Sequence, residues 1–280
     1  MTLNDIYHAI DPVALSLGPL QIRWYGLAYV AGFICAFLVI AKLSQRWKIR
    51  IDDDAFFTVV FCVIFGVILG GRLGYVFVYG DGYYLQHPEK ILAFNEGGMS
   101  FHGGLVGVII GGVIAAKITK IPFLTLADMG VVGVPIGLFF GRCANFINGE
   151  LWGAPIDMPW GVVFGGAAGT MPRHPSQLYE ALLEGVVLFI ILFALSRKTP
   201  ARPRGTFFGT FLLFYGLFRF TIEFIRQPDA QIGYLLGTHW FTMGQALSIP
   251  LMVAGVVFLI YAWKTKKPQM GLPDSEISQS

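Results

Sequence analysis

Seven runs of about 20 apolar residues recur along the chain, and each is long enough to cross the hydrocarbon core of a membrane as an α-helix. They lie near residues 21–41, 56–79, 99–116, 124–146, 177–196, 206–226 and 241–263. A soluble domain holds about a quarter of its residues as charged, whereas here 13% are charged and 55% are hydrophobic. The sequence therefore predicts an all-α, polytopic membrane protein with about seven transmembrane helices, and it excludes an ordinary soluble domain.

The basic residues indicate how these helices are oriented, because cytoplasmic loops carry an excess of Lys and Arg. One set of alternate connections holds thirteen of the 20 Lys and Arg residues, while the opposite set, with the N-terminal segment, holds three. We therefore expect the N-terminus to lie outside and the C-terminus to lie in the cytoplasm.

The chain is predicted to form a single transmembrane catalytic domain over residues 1–267. Residues 268–280 are polar and are expected to form a disordered cytoplasmic tail. The outer loops are expected near residues 80–98, 147–176 and 227–240. The first two are long and rich in Gly, Pro and aromatic residues. Because loops often carry function, the outer side is predicted to be the functional side.

Four basic residues fall inside the predicted spans or at their outer ends: Arg72, Arg142, Arg219 and Arg226. An arginine in the membrane costs about 3 kcal/mol on insertion scales, so it usually has a partner and a function. Its planar guanidinium donates two parallel hydrogen bonds to a phosphate. Anion binding is favoured for Arg142 and Arg219, whereas anion binding and structural pairing remain equal alternatives for Arg72. Snorkelling to the membrane surface is the simple interpretation of Arg226.

Four acidic residues are candidate partners for these arginines: Glu150, Glu180, Glu184 and Glu223. Glu223 lies four residues after Arg219 and three before Arg226, so the three side chains share one helix face. Glu150 is the candidate partner of Arg142. Structural ion pairing is therefore the alternative to anion binding at each of these positions.

The most polar stretch in an otherwise apolar region is residues 141–153, GRCANFINGELWG. Non-helical backbone at membrane depth is tolerated only where it is buried in protein or lines a cavity. The amides of Asn145 and Asn148 are suited either to binding a ligand headgroup or to satisfying freed backbone groups. For Asn148, helix capping and function stand as equal alternatives.

Three further residues stand where predicted spans begin. His102 follows Ser100 at the start of the third span and is suited to accept a proton near neutral pH; a hydrogen-bonded structural histidine is the commoner alternative. Ser176 is interpreted as the N-cap of the fifth span. Tyr25 is either an interfacial aromatic residue or part of a site.

No metal or cofactor is predicted. Cys35, Cys62 and Cys143 are scattered through apolar runs in no metal-binding spacing. The sequence also lacks the H-E-x-x-H and P-loop patterns. Cys143, beside a cationic residue, is either a thiolate nucleophile or a packing residue.

These residues resemble the bacterial prolipoprotein diacylglyceryl transferases. Residues 141–153 fit that family's pattern, G-R-x-[GA]-N-F-hydrophobic-N-x-E-x-x-G, at every fixed position. Residues 98–104, 173–180 and 224–231 resemble further family blocks, and the matches run in order over residues 24–245. Two departures are an outer segment after residue 153 that is shorter than in some members, and a free position at Cys143, which weakens a covalent role for that thiol.

The resemblance implies transfer of the diacylglyceryl group of phosphatidylglycerol to the lipobox cysteine thiol of a preprolipoprotein. A thioether forms and glycerol 1-phosphate leaves. It also implies a multi-pass protein of the bacterial cytoplasmic (inner) membrane with its active site toward the periplasm. We expect a monomer with no metal, no cofactor and no nucleic-acid partner.

The family's functional residues fall in this sequence at Tyr25, His102, Arg142, Asn145, Glu150, Gly153, Arg219 and Glu223. The resemblance implies that both arginines hold the phosphodiester and that His102 is the candidate base for the thiol. It assigns Glu150 and Glu223 to the catalytic set. Substrate binding falls to Tyr25, Asn145 and Gly153 with the arginines. The alternative function is a secondary transporter or flippase for an anionic solute or lipid, although no inverted repeat is evident.

Overall fold

The computed structural model describes residues 2–18, 20–79, 82–93, 98–228 and 233–272. The α-helices in these ranges are α1 Leu3–Ala9, α2 Trp24–Trp47, α3 Asp53–Tyr79, α4 Tyr83–Gln86, α5 Phe101–Thr119, α6 Phe123–Asn148, α7 Ser176–Glu180, α8 Leu188–Ser196, α9 Thr206–Ile222 and α10 Met243–Thr265. A π-helical stretch, Ala181–Val187, joins α7 to α8. An antiparallel pair of strands, β1 Val13–Leu17 and β2 Leu20–Arg23, precedes α2.

Five helical segments are long and apolar enough to cross a membrane, judged by length and composition: Gly26–Trp47, Asp53–Phe77, Phe123–Asn148, Ser176–Ser196 and Met243–Thr265. Two shorter apolar helices are Gly103–Thr119 and Thr206–Ile222. Each of the seven overlaps one predicted run, so the prediction of a helical, polytopic membrane protein is confirmed. The orientation of the termini stays a prediction.

The fifth span is not one regular α-helix, because the π-helical stretch Ala181–Val187 interrupts it. Single π-helical turns inside α-helices occur often at functional sites. Here the stretch passes close to α6: a Cβ atom at Gly185 would lie 2.7 Å from Cβ of Phe139. Glycine at this position therefore allows the widened turn to approach α6.

The chain divides into two compact units: Met1–Leu43 with Asp128–Pro268, and Ser44–Ala127 with Gln269–Ser280. In the second unit α3 packs tightly against α5, since a Cβ atom at Gly70 would lie 2.8 Å from Cα of Gly107. Small residues of this kind let membrane helices approach closely. The prediction of one catalytic domain over residues 1–267 stays a prediction.

Two residues at the start of the expected tail form backbone hydrogen bonds with the second unit. The backbone N–H of Leu272 donates to the carbonyl of Arg50 at 2.9 Å, and that of Met270 donates to Oγ1 of Thr125 at 3.5 Å. Disorder of the tail from residue 268 onward stays a prediction. Residues 273–280 lie outside the described part of the chain.

Candidate functional site

Glu180, at the end of α7, joins two arginines that come from different helices. Its Oε2 lies 2.9 Å from Nε of Arg142 on α6, and its Oε1 accepts a 2.5 Å hydrogen bond from Nη1 of Arg219 on α9. The carboxylate is fully buried. Because a buried charge is stable only when it is paired and hydrogen-bonded, these three residues fix one another's positions.

Glu223 forms a second centre of pairing just after α9. Its Oε1 contacts Nη2 of Arg219 and accepts a 3.2 Å hydrogen bond from Nη1 of Arg226. Its Oε2 accepts a 2.5 Å hydrogen bond from Oγ1 of Thr242, the N-cap of α10. A Cβ atom at Gly244 would lie 2.6 Å from Oε1, so glycine there leaves room for the carboxylate.

Glu184, in the π-helical stretch, is the third acid of this group. It is fully buried, and its Oε2 lies 3.5 Å from Nη2 of Arg142. We call these six residues the charge cluster: Arg142, Arg219, Arg226, Glu180, Glu184 and Glu223. With every member ionised its formal charge is zero. The prediction that the glutamates at 180, 184 and 223 pair with the arginines is confirmed.

Two other predictions about these charged residues, snorkelling of Arg226 and pairing of Glu150 with Arg142, are wrong. The Arg226 side chain does not snorkel to a surface, because it is only 11% exposed and is paired with Glu223. Glu150 does not pair with Arg142: its Oε1 instead accepts hydrogen bonds from the amide nitrogens of Asn145 at 2.8 Å and of Asn148 at 3.3 Å. Arg142 pairs with Glu180 and Glu184 instead.

The segment after α6 is held from α7. Nε2 of Gln177 donates to the backbone carbonyl of Glu150 at 2.6 Å, and Oγ of Ser176 donates to that of Leu151 at 3.0 Å. The prediction that Ser176 is an N-cap is therefore wrong: the capping position is Pro175, and the Ser176 hydroxyl is used across the loop instead. These bonds fix the backbone just beyond Asn145 and Glu150.

Gly153 lies between two other backbone segments. Its N–H donates to the carbonyl of His174 at 2.9 Å. A Cβ atom on Gly153 would lie 2.6 Å from Cβ of His174 and 2.7 Å from the carbonyl oxygen of Ile225. The close approach of three backbone segments therefore requires glycine at this position.

Arg173 ties the same segments together. Its Nη1 donates to the carbonyl of Gly153 and to Oε1 of Gln227, each at 3.2 Å, and its guanidinium stacks on Trp152 at 4.3 Å from the ring centroid. Burial lowers the pKa of the neighbouring His174 from its usual value. The lowered pKa favours the neutral form of the His174 imidazole at neutral pH.

Arg72 belongs to the other compact unit and uses its donors on backbone. Its Nε, Nη2 and Nη1 donate to the carbonyls of Ile91, Lys90 and Gly98 at 2.8, 2.7 and 3.2 Å. The guanidinium also lies 5.5 Å from the ring centroid of Tyr84, and the residue is 1% exposed. The structure favours the structural alternative for Arg72, an anchor for the segment after α3.

The side chains of Tyr25 and His102 lie outside the described part of the structure, so their assignments stay predictions. Among the residues that the structure does describe, no group of three or more His, Cys, Asp or Glu side chains is placed to hold a metal ion.

Sequence reasoning missed three residues that support the site. Thr242 begins a T-x-x-Q capping box with Gln245, a pattern visible in the sequence, but its bond to Glu223 is not. Gln177 and Arg173 act on backbone carbonyls distant in sequence, for which the sequence carries no signal.

The charge cluster is suited to bind an anion. Each guanidinium carries five N–H donors, and the glutamates occupy only part of those on Arg142 and Arg219. The two side chains keep 17% and 14% exposure. An anion approaching this point meets fixed donors from two helices whose orientation is already set by Glu180.

The chain is similar to known proteins over nearly its whole length. A family model described as prolipoprotein diacylglyceryl transferase matches residues 12–261. A phosphatidylglycerol–prolipoprotein diacylglyceryl transferase of Geobacter sulfurreducens is 52% identical over 257 residues, which cover 92% of this chain and 97% of that protein. Proteins of the same name from Rhodopseudomonas palustris and Nitratidesulfovibrio vulgaris are 46% and 48% identical over 96% and 89% of this chain, and over 96% and 94% of their own lengths.

Proposed function

The chain belongs to the prolipoprotein diacylglyceryl transferase family, and from this premise we propose that it transfers the diacylglyceryl group of phosphatidylglycerol to the lipobox cysteine thiol of a preprolipoprotein. The thiolate forms a thioether with the glyceryl carbon, and the carbon–oxygen bond to phosphate breaks. Glycerol 1-phosphate leaves with the electron pair of that bond. The thiol proton passes to a base.

The observation that carries this proposal is the bridge from Arg142 through Glu180 to Arg219. The donor lipid is a phosphodiester anion, and phosphate is bound best by guanidinium groups in fixed orientation. Negative charge builds on the leaving phosphate as the carbon–oxygen bond breaks. Donors that are already oriented stabilise this charge without reorganising.

The remaining site residues are proposed in supporting roles. Glu223 contacts both Arg219 and Arg226, which supports a role in orienting the phosphate-binding group. Asn145, in the last turn of α6, and Glu150, just after that helix, are hydrogen-bonded to each other, which supports a role at the headgroup. Tyr25 and Gly153 complete the proposed substrate-binding set.

His102 is proposed as the base that accepts the thiol proton. An unperturbed thiol has a pKa of about 8.5, so a base near neutrality increases the reactive thiolate. We expect the His102→Gln variant to lose most of its turnover at neutral pH. Full activity of that variant at neutral pH would remove His102 from this role.

We also propose that the protein is a monomer of the bacterial cytoplasmic membrane with its site toward the periplasm. The bias of Lys and Arg toward one set of connections supports this orientation. Cysteines introduced singly beside Lys198 and Trp160 should be labelled by an impermeant reagent only in the second case. The reverse pattern would contradict the orientation.

The function is tested by mass spectrometry of a lipobox peptide incubated with the purified protein and phosphatidylglycerol. We expect a mass increase of one diacylglyceryl group. A peptide with serine in place of the lipobox cysteine, and phosphatidylcholine in place of the donor, serve as controls without product. Lack of product where the Geobacter sulfurreducens relative gives product would contradict the proposal, as would lipid transport without covalent turnover.

A further inference from the structure

Binding of an anionic lipid must change the net charge of the charge cluster. Three guanidinium groups face three carboxylates, so with every member ionised the cluster has no net charge before a ligand arrives. A phosphodiester adds one negative charge to a poorly hydrated site. Unpaired buried charge is strongly unfavourable, and such groups usually change their protonation instead. Binding of the anion therefore favours the uptake of one proton by a carboxylate.

Two of the three carboxylates are poor candidates for that proton. Oε1 of Glu180 accepts a hydrogen bond from Arg219, and its Oε2 lies 2.9 Å from Nε of Arg142. Both oxygens of Glu223 also accept hydrogen bonds, from Arg226 and from Thr242. Hydrogen bonds donated to a carboxylate favour its ionised form.

Glu184 is different. It is fully buried, and neither of its carboxylate oxygens has a hydrogen-bond partner among the residues that the structure describes. Its nearest cation, Nη2 of Arg142, lies at 3.5 Å, whereas charge-assisted hydrogen bonds measure about 2.7–2.9 Å. A proton on Glu184 therefore disrupts less pairing than a proton on either of the other acids.

The groups around Glu184 support the same choice. Glu180 lies one turn earlier on the same span, Arg142 faces it from α6, and Arg219 and Tyr215 face it from α9. Both arginines are already contacted by Glu180. When a phosphodiester also draws on those guanidinium groups, less of their positive charge remains to stabilise an ionised Glu184.

We propose that Glu184 takes up a proton when the anionic headgroup binds, so that lipid binding and protonation are coupled at this site. The proton comes from solvent and forms an O–H bond on the carboxylate, and no other bond changes. The proposal rests on the proposed function, in that the arginines of the cluster bind the phosphodiester. In this proposal Glu184 balances charge: by gaining or losing a proton, it keeps the site neutral both with and without lipid.

The coupling between lipid binding and protonation predicts the direction in which affinity changes with pH. If binding takes up a proton, raising the pH through the titration range of Glu184 weakens binding by up to tenfold per pH unit, because the proton becomes scarcer. The Glu184→Gln variant carries the neutral form permanently. We expect this variant to bind phosphatidylglycerol with a Kd that varies little with pH over the same range.

The experiment is calorimetric titration of the full-length protein in detergent with dioctanoyl phosphatidylglycerol, from pH 6 to 9, in buffers of different ionisation enthalpy. The dependence of the heat on the buffer gives the number of protons taken up. We expect wild type to reach a maximum approaching one proton, and Glu184→Gln to take up close to none. Glu89→Gln, which alters an acid 64% accessible to solvent in the short 3-10 helix Pro88–Lys90, serves as the matched control and should match wild type.

Several results would overturn the proposal. Binding by wild type without proton uptake at any pH is one, and undiminished uptake by Glu184→Gln, which would place the proton on another acid, is a second. Equal uptake with dioctanoyl phosphatidylcholine, whose headgroup has no net charge, is a third. Absence of phosphatidylglycerol binding altogether would instead count against the proposed function.

A measurement on wild type keeps the proposal testable if Glu184→Gln does not fold. Infrared difference spectra with and without lipid should show a new band from a protonated carboxyl group. If this band is absent in the pH range where the affinity for phosphatidylglycerol weakens, the proposal is overturned.

Discussion

Oε1 of Glu180 accepts a 2.5 Å hydrogen bond from Nη1 of Arg219, which lies 39 positions further along the chain. The other oxygen of the same carboxylate lies 2.9 Å from Nε of Arg142. One acid therefore sets the distance between two cations that would otherwise repel each other. We therefore predict separate effects on stability and turnover for substitutions of the acid and of each arginine.

Replacing Glu180 by Gln should lower both stability and turnover. The amide keeps the shape but removes the negative charge between the two guanidinium groups, and breaking a buried ion pair costs about 3–5 kcal/mol. The free energy of unfolding in detergent and the rate of peptide modification measure the two effects. Glu89→Gln is the control, and an unchanged Tm for Glu180→Gln would contradict the structural role.

Arg142→Lys and Arg219→Lys should each reduce kcat/KM for phosphatidylglycerol by about 10²–10³-fold, the usual loss when one oriented donor is removed. Lysine keeps the charge and so compensates Glu180, but it loses the planar pair of donors. Kinetics with a lipobox peptide measure the loss, and thermal unfolding reports whether the fold is kept. Arg197→Lys, at the exposed end of α8, should behave as wild type; near-normal rates in either cluster variant would remove that residue from the site.

Gly153→Ala should destabilise the packing of the Gly153 backbone against His174 and Ile225 by about 1–3 kcal/mol, the usual cost of overpacking. The new methyl group would lie 2.6 Å from Cβ of His174, so one of the two segments must move. Hydrogen exchange of the Gly153 and His174 amides measures the change. Gly130→Ala in α6, where a Cβ atom meets nothing within 4 Å, is the matched control and should be neutral or stabilising. Unchanged exchange in Gly153→Ala would show that the segments have room to adjust.

Arg72→Gln should loosen the segment after α3 because it removes charged donors to the carbonyls of Lys90, Ile91 and Gly98. We expect faster hydrogen exchange over residues 88–93, while phosphatidylglycerol still binds. These two measurements separate the structural role of Arg72 from the anion-binding role, between which the sequence does not decide. Slow exchange together with lost lipid binding would favour the anion-binding role of Arg72.

The sequence predicts this fold and part of the site because the relevant patterns are local. Apolar runs predict the seven helices, and the spacing of Glu223 between Arg219 and Arg226 predicts their shared face, which the ion pairs confirm. Glu180 stands out because an acid in an apolar run requires a partner. Its choice between the available arginines depends on how α6, α7 and α9 pack, and no local pattern encodes that.

Two of the wrong predictions follow the ordinary preference of a residue type at its position. Ser176 has the residue type of an N-cap, but its hydroxyl donates to the carbonyl of Leu151, which the chain fold brings to it. Arg226 lies near the end of a span, where snorkelling is the ordinary outcome, but Glu223 holds it inside. For Ser176 a contact from another segment replaces the local preference, whereas for Arg226 an ion pair with an acid three residues earlier replaces it.

The bridge through Glu180 also bears on how the protein is made. Synthesis runs from the N-terminus, so α6 brings Arg142 to the membrane ahead of Glu180 and Arg219, which follow it along the chain. The guanidinium of Arg142 must then wait for the next span before it gains its carboxylate, and that carboxylate gains its second guanidinium only when α9 follows. The order of insertion is therefore also the order in which charge is neutralised, and a chain that stops after α6 retains an arginine without the carboxylates that pair with it in the finished protein.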